Sequence, residues 1–183
     1  MVTLNHRIRH TQWVRPIFIF SFLGSPAIWN TLLGILPLVF AALHRPYEAL
    51  VMMACFLQHW LGFQVLLQHL IRRPRPFREL PDVTCLDPLT GTSRYSCPSG
   101  HAMYFAHFWL VMAYLCPQFP TLQGILIGVA LILGICLALS RVLLGVHYPL
   151  DVLFGLTLPY VSLAVYHYLT SHVWSVLIGW LFY

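Results

Sequence analysis

The sequence predicts an all-α fold, a polytopic membrane bundle of five to six hydrophobic helices with its polar site at one membrane face. Hydrophobic residues make up 59% of the 183 residues and charged residues only 8%, whereas soluble domains carry roughly a quarter charged residues. Long uncharged runs alternate with short segments rich in proline and glycine. The length suits one membrane-embedded domain, residues 1–183. So little of the chain is soluble that nucleic-acid binding is disfavoured.

The first uncharged run is predicted to form two helices. Residues 1–15 form a polar N-terminus, and nothing between Pro16 and Leu43 carries a formal charge. That run exceeds the ~20 residues of one spanning helix. Gly24-Ser25-Pro26 interrupts it, because proline disfavours helix in the residue before it. We expect an interfacial or partial helix before this break and a spanning helix after it.

The later elements follow from the same alternation. A second span is predicted over residues 47–71, followed by a polar loop at 72–97 that is rich in proline and arginine. Residues 173–183 are apolar but too few to span, so we expect them to lie at the membrane interface. Three further spans are predicted at 99–116, 121–142 and 149–169.

These spans bring separate polar stretches to one side of the membrane. The spans ending at residues 71 and 141 and those starting at residues 99 and 149 alternate in direction. Short turns between antiparallel helices place all four ends at the same face. Residues remote in sequence are therefore expected to share a site.

The last of these stretches is Ser140-Arg141, then His147, then Asp151. Pro149 suits the first turn of a helix, which places Asp151 where the helix dipole favours negative charge. A carboxylate there can accept a hydrogen bond from one imidazole nitrogen of His147 and leave the other free to attack. The alternative is an ordinary ion pair at a helix end.

The middle stretch, Pro98-Ser99-Gly100-His101, opens a helix. Ser99 suits the N-cap position, and Gly100 lets the backbone approach a ligand. Free N–H groups at a helix start bind phosphate, and His101 is placed to act as a general acid. The alternative is a simple helix cap.

The first stretch runs from Gln68 to Arg75-Pro76, where the prolines hold the guanidinium in place. The net charge of +5 comes entirely from arginine, since the chain has no lysine. Five of the ten arginines lie in the 72–97 loop. Such a loop can face anionic lipid headgroups, but arginine's planar fork also suits phosphate oxygens. Arg72 is a candidate for an additional positive charge beside Gln68.

Other polar residues are less informative. Cys85 and Cys97 share the polar loop, and either a disulfide or two free thiols is compatible with the sequence. His59 and His107 are predicted to be neutral core or pore-lining residues within spans, and His69 is a candidate to line the site. Further polar residues do not suggest a metal, and Asp82 and Asp87 are expected to lie in the loop without partners.

Together the three stretches resemble the signature of the type 2 phosphatidic acid phosphatase family. The second and third match it without a gap, whereas Gln68 stands where the family usually has lysine. The resemblance implies a lipid phosphatase of the acid-phosphatase type that acts without metal or other cofactor. In that mechanism His147, supported by Asp151, attacks phosphorus and forms a phosphohistidine intermediate. His101 protonates the leaving oxygen, and water then releases phosphate. Phosphate would be bound by Arg75, Arg141, Gln68 and the backbone amides of Ser99 and Gly100.

The resemblance also implies a phosphorylated lipid substrate, among them isoprenyl diphosphates such as undecaprenyl diphosphate, phosphatidylglycerophosphate and phosphatidate. It implies an integral protein of the bacterial inner membrane, in contact with membrane lipids, whose site faces the extracytoplasmic side. Counting arginines in loops alone would place that site in the cytoplasm. Two alternatives remain open, a lipid phosphotransferase with the same intermediate and a weakly active protein that binds lipid phosphates. The sequence does not determine the oligomeric state.

Overall fold

A computed structural model describes residues 1–89 and 94–168 of the chain. The predicted interfacial segment at 173–183 lies outside the described residues. In the described part the chain is helical, with a single isolated bridge between Pro74 and Tyr95. The predicted helical membrane bundle is confirmed.

The first elements are α1 (Val2–Ile8), α2 (Val14–Phe22) and α3 (Pro26–Ala42). The chain breaks between α2 and α3 at the predicted place, and Pro26 occupies the first turn of α3, where its missing N–H costs nothing. The partial helix predicted before the break is α2, which is only 9 residues long.

The second span is one helical stretch, Pro46–Ile71. It starts as α4 (Pro46–Leu57), continues as a π-helical segment (Gln58–Leu67) and ends as α5 (Gln68–Ile71). Arg72 then turns the chain with a left-handed φ of 49°. The loop that follows holds the short helix α6 (Pro76–Glu79).

The remaining helices are α7 (Gly100–Tyr114), α8 (Pro120–Leu143) and α9 (Pro149–Tyr168). Four stretches in the described part are long and apolar enough to cross a membrane: Val14–Ala42, Pro46–Ile71, Pro120–Leu143 and Pro149–Tyr168. The 15-residue α7 is shorter, but most of it is buried among the others.

The core lies around α7. One cluster joins α7 to α3 and α4 through Leu33, Met52 and Tyr104, and a second joins it to α8 and α9 through small residues such as Ala102 and Ala138. Large apolar side chains on the outer faces of the helices remain exposed, as lipid contact requires. Burying α7 from several sides places its N-terminus, and therefore His101, inside the bundle.

The N-terminal segment stays at the face of the bundle that carries the polar loop. Asn5 contacts Thr84 of that loop, while Ser25 and Pro26 line the cavity described below. Both ends of residues 5–25 therefore lie at the same face of the bundle.

Candidate active site

A cavity of about 220 Å³ opens at the face where the motif-bearing helix ends meet. Six of the eight predicted site residues line this cavity. They come from the 46–71 helix, the polar loop, α7, α8 and the α8–α9 turn. The predicted residues that line it are Gln68, Arg75, Gly100, His101, Arg141 and His147. The predicted residues Ser99 and Asp151 lie behind this wall and are fully buried.

His147 is held in one tautomer by the polar loop. Its Nδ1 lies 2.7 Å from the carbonyl oxygen of Ser96. A carbonyl only accepts hydrogen bonds, so Nδ1 carries the proton and Nε2 keeps its lone pair. That Nε2 lies 3.3 Å from Nη1 of Arg75. Burial, followed by the nearby charges of Arg75 and Arg141, holds the pKa of His147 well below its usual value. Nε2 is therefore unprotonated and lies beside a cation.

Asp151 does not accept the hydrogen bond that the sequence assigned to it. Its Oδ2 lies 3.9 Å from Nδ1 of His147 and instead accepts the backbone N–H of Tyr148 at 2.9 Å. Oδ1 accepts Arg73 Nη1 at 3.0 Å, and that guanidinium also stacks over the Tyr148 ring at 4.0 Å. The physical reason is helix geometry, since a carboxylate in the first turn reaches back to the N–H groups that the helix leaves open.

Arg75 is buried with only 5% of its surface exposed. Its Nη1 donates to the carbonyl oxygen of Val146 at 3.0 Å, which ties the loop to the turn that carries His147. Burial, and next the charge of Arg141, lower the pKa of Arg75 to about 10. Arg75 therefore stays positively charged at neutral pH and can bind a phosphate oxygen next to Nε2 of His147.

Arg141 has partners that were not expected from the sequence. Its Nη2 forms a buried ion pair with Oδ2 of Asp87 at 2.7 Å, and its Nη1 donates to Oγ of Ser21 on α2 at 2.8 Å. The expectation that Asp87 has no partner is wrong, because the loop folds back over the end of α8. The carboxylate holds the guanidinium at the cavity wall and partly balances its charge.

The start of α7 also departs from the prediction in part. Ser99 occupies the N-cap position but its side chain makes no capping hydrogen bond, and its backbone N–H donates to the carbonyl oxygen of Asp151 at 3.0 Å. That amide is engaged by the close approach of α9 and is not available to phosphate. Gly100 and His101 do line the cavity.

Gln68 and its helical neighbour Gln64 form a neutral wall of the cavity. Gln68 is 8% exposed, and its Nε2 donates to the carbonyl oxygen of Pro98 at 3.3 Å. The Oε1 of Gln64 is buried and has no hydrogen-bond partner among the described residues. The spacing of four residues places both side chains on one helix face, a signal that would have revealed Gln64.

Two other candidate residues lie outside the cavity. Arg72 is exposed and its Nε donates to the carbonyl oxygen of His69. His69 is exposed too, with its ring against Tyr95.

Cys85 and Cys97 are free thiols, as are the other cysteines. Burial raises the pKa of Cys97 to about 11, so its thiol stays protonated.

Helix α2 contributes to the cavity in a way that was not predicted from the sequence. Phe18 and Phe22 line the cavity, and Ser21 holds Arg141. Nothing in the local pattern distinguishes these residues from lipid-facing ones, since their role depends on where α2 packs.

The chain matches the family model of the PAP2 superfamily over residues 47–174. Among solved structures, it is similar to the transmembrane PAP2-type phosphatidylglycerophosphate phosphatase from Bacillus subtilis. The two share 26% identity with a TM-score of 0.67, over 86% of this chain and 76% of the other. It is also similar to LpxE from Aquifex aeolicus, with 25% identity and a TM-score of 0.59, over 89% of this chain and 92% of the other. A search of curated proteins finds no match.

Proposed function

The chain belongs to the PAP2 superfamily, and from this premise we propose that it hydrolyses the phosphate group of a membrane lipid through a phosphohistidine on His147. The observation that carries the proposal is the unprotonated Nε2 of His147 beside Arg75, in a cavity also lined by His101 and Arg141. A nucleophile, an acid and two cations are the groups that this reaction uses.

In the proposed first step Nε2 of His147 forms a bond to phosphorus, and the bond from phosphorus to the lipid oxygen breaks. His101 gives its proton to that departing oxygen. Arg75 and Arg141 stabilise the negative charge on the non-bridging oxygens, where most of the rate enhancement of phosphoryl transfer arises. The geometry of Asp151 supports an indirect role, because its carboxylate anchors Arg73 and the start of α9.

In the second step a water molecule attacks phosphorus and the bond from phosphorus to Nε2 breaks. His101, which lost its proton in the first step, takes a proton from this water. Free phosphate and the original tautomer of His147 result. No group outside the chain is required for the atoms to balance.

The substrate range is proposed from the cavity and from its relatives. Phe18, Phe22 and Leu89 line the cavity beside the charged groups, which fits a phosphate joined directly to an apolar chain. The similar Bacillus subtilis protein is a phosphatidylglycerophosphate phosphatase. We therefore propose a phosphorylated lipid of this kind, an isoprenyl diphosphate or phosphatidate as the substrate of this chain.

The test is phosphate release by detergent-purified protein from a panel of lipid monophosphates and diphosphates with EDTA present. We expect release by the wild type and a loss of about a thousandfold or more in His147→Ala, because the nucleophile is removed. His69→Ala, an exposed histidine at the same face, is the matched control and should keep its activity.

Trapping separates the competing functions. Reactions with lipid labelled at the phosphate and quenched in alkaline detergent should show an acid-labile, base-stable phosphohistidine in the wild type and none in His147→Ala. A trapped intermediate that passes phosphate only to added alcohol or lipid would establish a phosphotransferase. Lipid binding with neither intermediate nor phosphate release would establish a binding protein and end the hydrolase proposal.

A further inference from the structure

The N-terminal helix α1 carries one fully buried polar residue. Asn5 has 0% of its surface exposed, while its neighbours His6 and Arg7 are exposed. A buried amide is costly unless its donors and acceptor are satisfied. The reason for burying Asn5 must therefore lie in the contacts that it makes.

All of these contacts join two parts of the active-site face. The Nδ2 of Asn5 donates to the carbonyl oxygens of Thr84 at 3.1 Å and Leu143 at 3.0 Å. Its Oδ1 accepts the backbone N–H of Thr84 at 2.9 Å. One side chain thus clamps the polar loop onto the C-terminal end of α8.

The contact between residues 84–86 of the polar loop and residues 143–145 at the end of α8, here called the joint, is tightly packed. Leu86 N–H donates to the carbonyl oxygen of Leu144 at 3.0 Å. Gly145 has a φ of +76°, and a Cβ there would lie 2.5 Å from the carbonyl oxygen of Thr84 and 2.8 Å from Nδ2 of Asn5. Only glycine fits both this backbone conformation and this space.

Two groups of the proposed site lie within three residues of this joint in the sequence. Three residues beyond Thr84, Asp87 holds Arg141. Two residues beyond Gly145, His147 faces Arg75. Asn5 itself does not line the cavity, so it touches neither the substrate nor the reacting atoms.

We propose that Asn5 is a positioning residue, which holds the polar loop against the α8–α9 turn so that Arg141 and His147 keep their productive separation. This inference rests on the proposed phosphatase function. Misplacing catalytic groups by about 1 Å can lower the rate about a hundredfold without changing substrate contacts. A positioning role therefore predicts a loss in kcat, whereas a simple anchor of α1 predicts a loss of stability alone.

The first measurement compares Asn5→Ala with His6→Ala in phosphate release from the best lipid of the panel. We expect kcat to fall about 10- to 100-fold in Asn5→Ala, with KM within about threefold of the wild type. His6→Ala should match the wild type. Gly145→Ala opens the same joint from the other side and should give the same split between kcat and KM. Unchanged kcat in Asn5→Ala would overturn the proposal.

The second measurement tests whether the joint opens, and it uses the rate of thiol labelling in place of enzyme activity. Cys85 follows Thr84, is half-buried, and its thiol donates to the carbonyl oxygen of Asp87 at 3.3 Å. In a background with Cys116→Ser and Cys136→Ala, a maleimide should label Cys85 about fivefold or more faster in Asn5→Ala, because a freed loop exposes the thiol. Equal labelling rates would overturn the proposal. If the wild type releases no phosphate, the proposed function fails while this labelling still decides whether the joint exists.

A third variant guards against misfolding of Asn5→Ala. Asn5→Asp keeps the acceptor for Thr84 N–H, but its ionised carboxylate faces the carbonyl oxygens of Thr84 and Leu143. Protonation turns one oxygen into a donor. Burial beside two carbonyl oxygens disfavours the ionised carboxylate and raises its pKa above the usual value of about 3.9. The kcat of Asn5→Asp relative to wild type should therefore rise about threefold or more from about pH 8 to about pH 5. A ratio that stays flat with pH would count against the clamp.

Discussion

The positively charged Arg141 lines the cavity and forms an ion pair with a buried carboxylate. Asp87 and Arg141 are 3% and 2% exposed at the side chain, and their atoms lie 2.7 Å apart. Removing one partner of a buried pair leaves the other uncompensated. The carboxylate of Asp87 therefore belongs to the proposed phosphate site although it carries the same sign of charge as the substrate.

We predict that Asp87→Ala lowers kcat/KM about 10- to 100-fold, because Arg141 loses the contact that fixes its position. Asp87→Asn keeps a hydrogen-bond acceptor for the guanidinium and should lose less. Steady-state phosphate release by both variants checks this. Equal losses in the two variants would mean that charge, rather than position, is what Asp87 supplies.

Gln68 is where the site departs from the pattern that its family usually shows. The amide donates to the Pro98 carbonyl oxygen, a contact that a lysine ammonium can also make. We predict that Gln68→Lys raises kcat/KM about 10- to 100-fold, the effect of one added charge-assisted contact to phosphate. The neutral Gln68→Met serves as the control. A fall with every lipid in the panel would show instead that the amide selects the substrate.

The pH dependence follows from the surroundings of His147. Its pKa is lowered by burial and by neighbouring arginines, so the imidazole stays neutral and nucleophilic at pH values where an ordinary histidine, with a pKa of about 6.5, is protonated. Removing one positive neighbour raises this pKa. We therefore predict that the acid limb of the profile of kcat/KM moves to higher pH in Arg75→Met. The exposed Arg78→Met should leave the limb in place, and an unmoved limb in Arg75→Met would contradict the assignment of this limb to His147.

At the scale of elements, the contact between α7 and α9 brings two of the motifs together. A Cβ on Gly155 would lie 2.6 Å from the carbonyl oxygen of Ser99, the residue whose amide bonds to the Asp151 carbonyl oxygen. Both helix starts are therefore locked at a separation that only glycine allows.

We predict that Gly155→Ala lowers the stability of the protein by about 1–3 kcal/mol, because the methyl group forces α9 away from α7, and that activity falls with it. Gly128→Ala on α8 is the matched control, since a Cβ there meets nothing within 4 Å. Thermal unfolding in detergent measures the stability of both variants, and phosphate release measures their activity. A Gly155→Ala protein as stable and active as Gly128→Ala would show that the helices separate without cost.

The elements themselves were largely predictable, and their deviations have local causes. The starts of α3, α8 and α9 lie within a few residues of the prediction, since each has proline in its first turn. The π-helical segment Gln58–Leu67 was not predicted. Its apolar pattern is that of an ordinary helix, and a change of helical pitch is decided by packing around the helix.

At the scale of the whole molecule, the orientation in the membrane is set by competing indicators. Arg7 and Arg9 follow Asn5 within four residues and therefore lie near the face that carries the cavity, while Arg45 lies at the opposite end of α3. By arginine count alone this face belongs in the cytoplasm. The family resemblance implies the extracytoplasmic side, and we retain that as our proposal.

Single cysteines decide the orientation. Asp82→Cys places a thiol on the exposed loop and Gln118→Cys places one at the opposite face, in a background with Cys85, Cys116 and Cys136 replaced. We predict that an impermeant maleimide labels Asp82→Cys in intact cells and Gln118→Cys only after permeabilisation. The reverse pattern would place the active site in the cytoplasm.

Local sequence patterns are enough to predict the helical membrane fold, the shared face at which the motifs meet, and the histidines and arginines of the proposed site. Uncharged runs and prolines at helix starts are local properties, and alternating helices bring their ends together whatever the packing. Three contacts emerge only from the packing of the folded chain: the Ser96 carbonyl oxygen orients His147, Asp87 holds Arg141, and Asn5 joins the polar loop to the end of α8. These contacts join residues 51 to 138 positions apart. They depend on how a loop and a short helix pack onto the bundle, which no local pattern encodes.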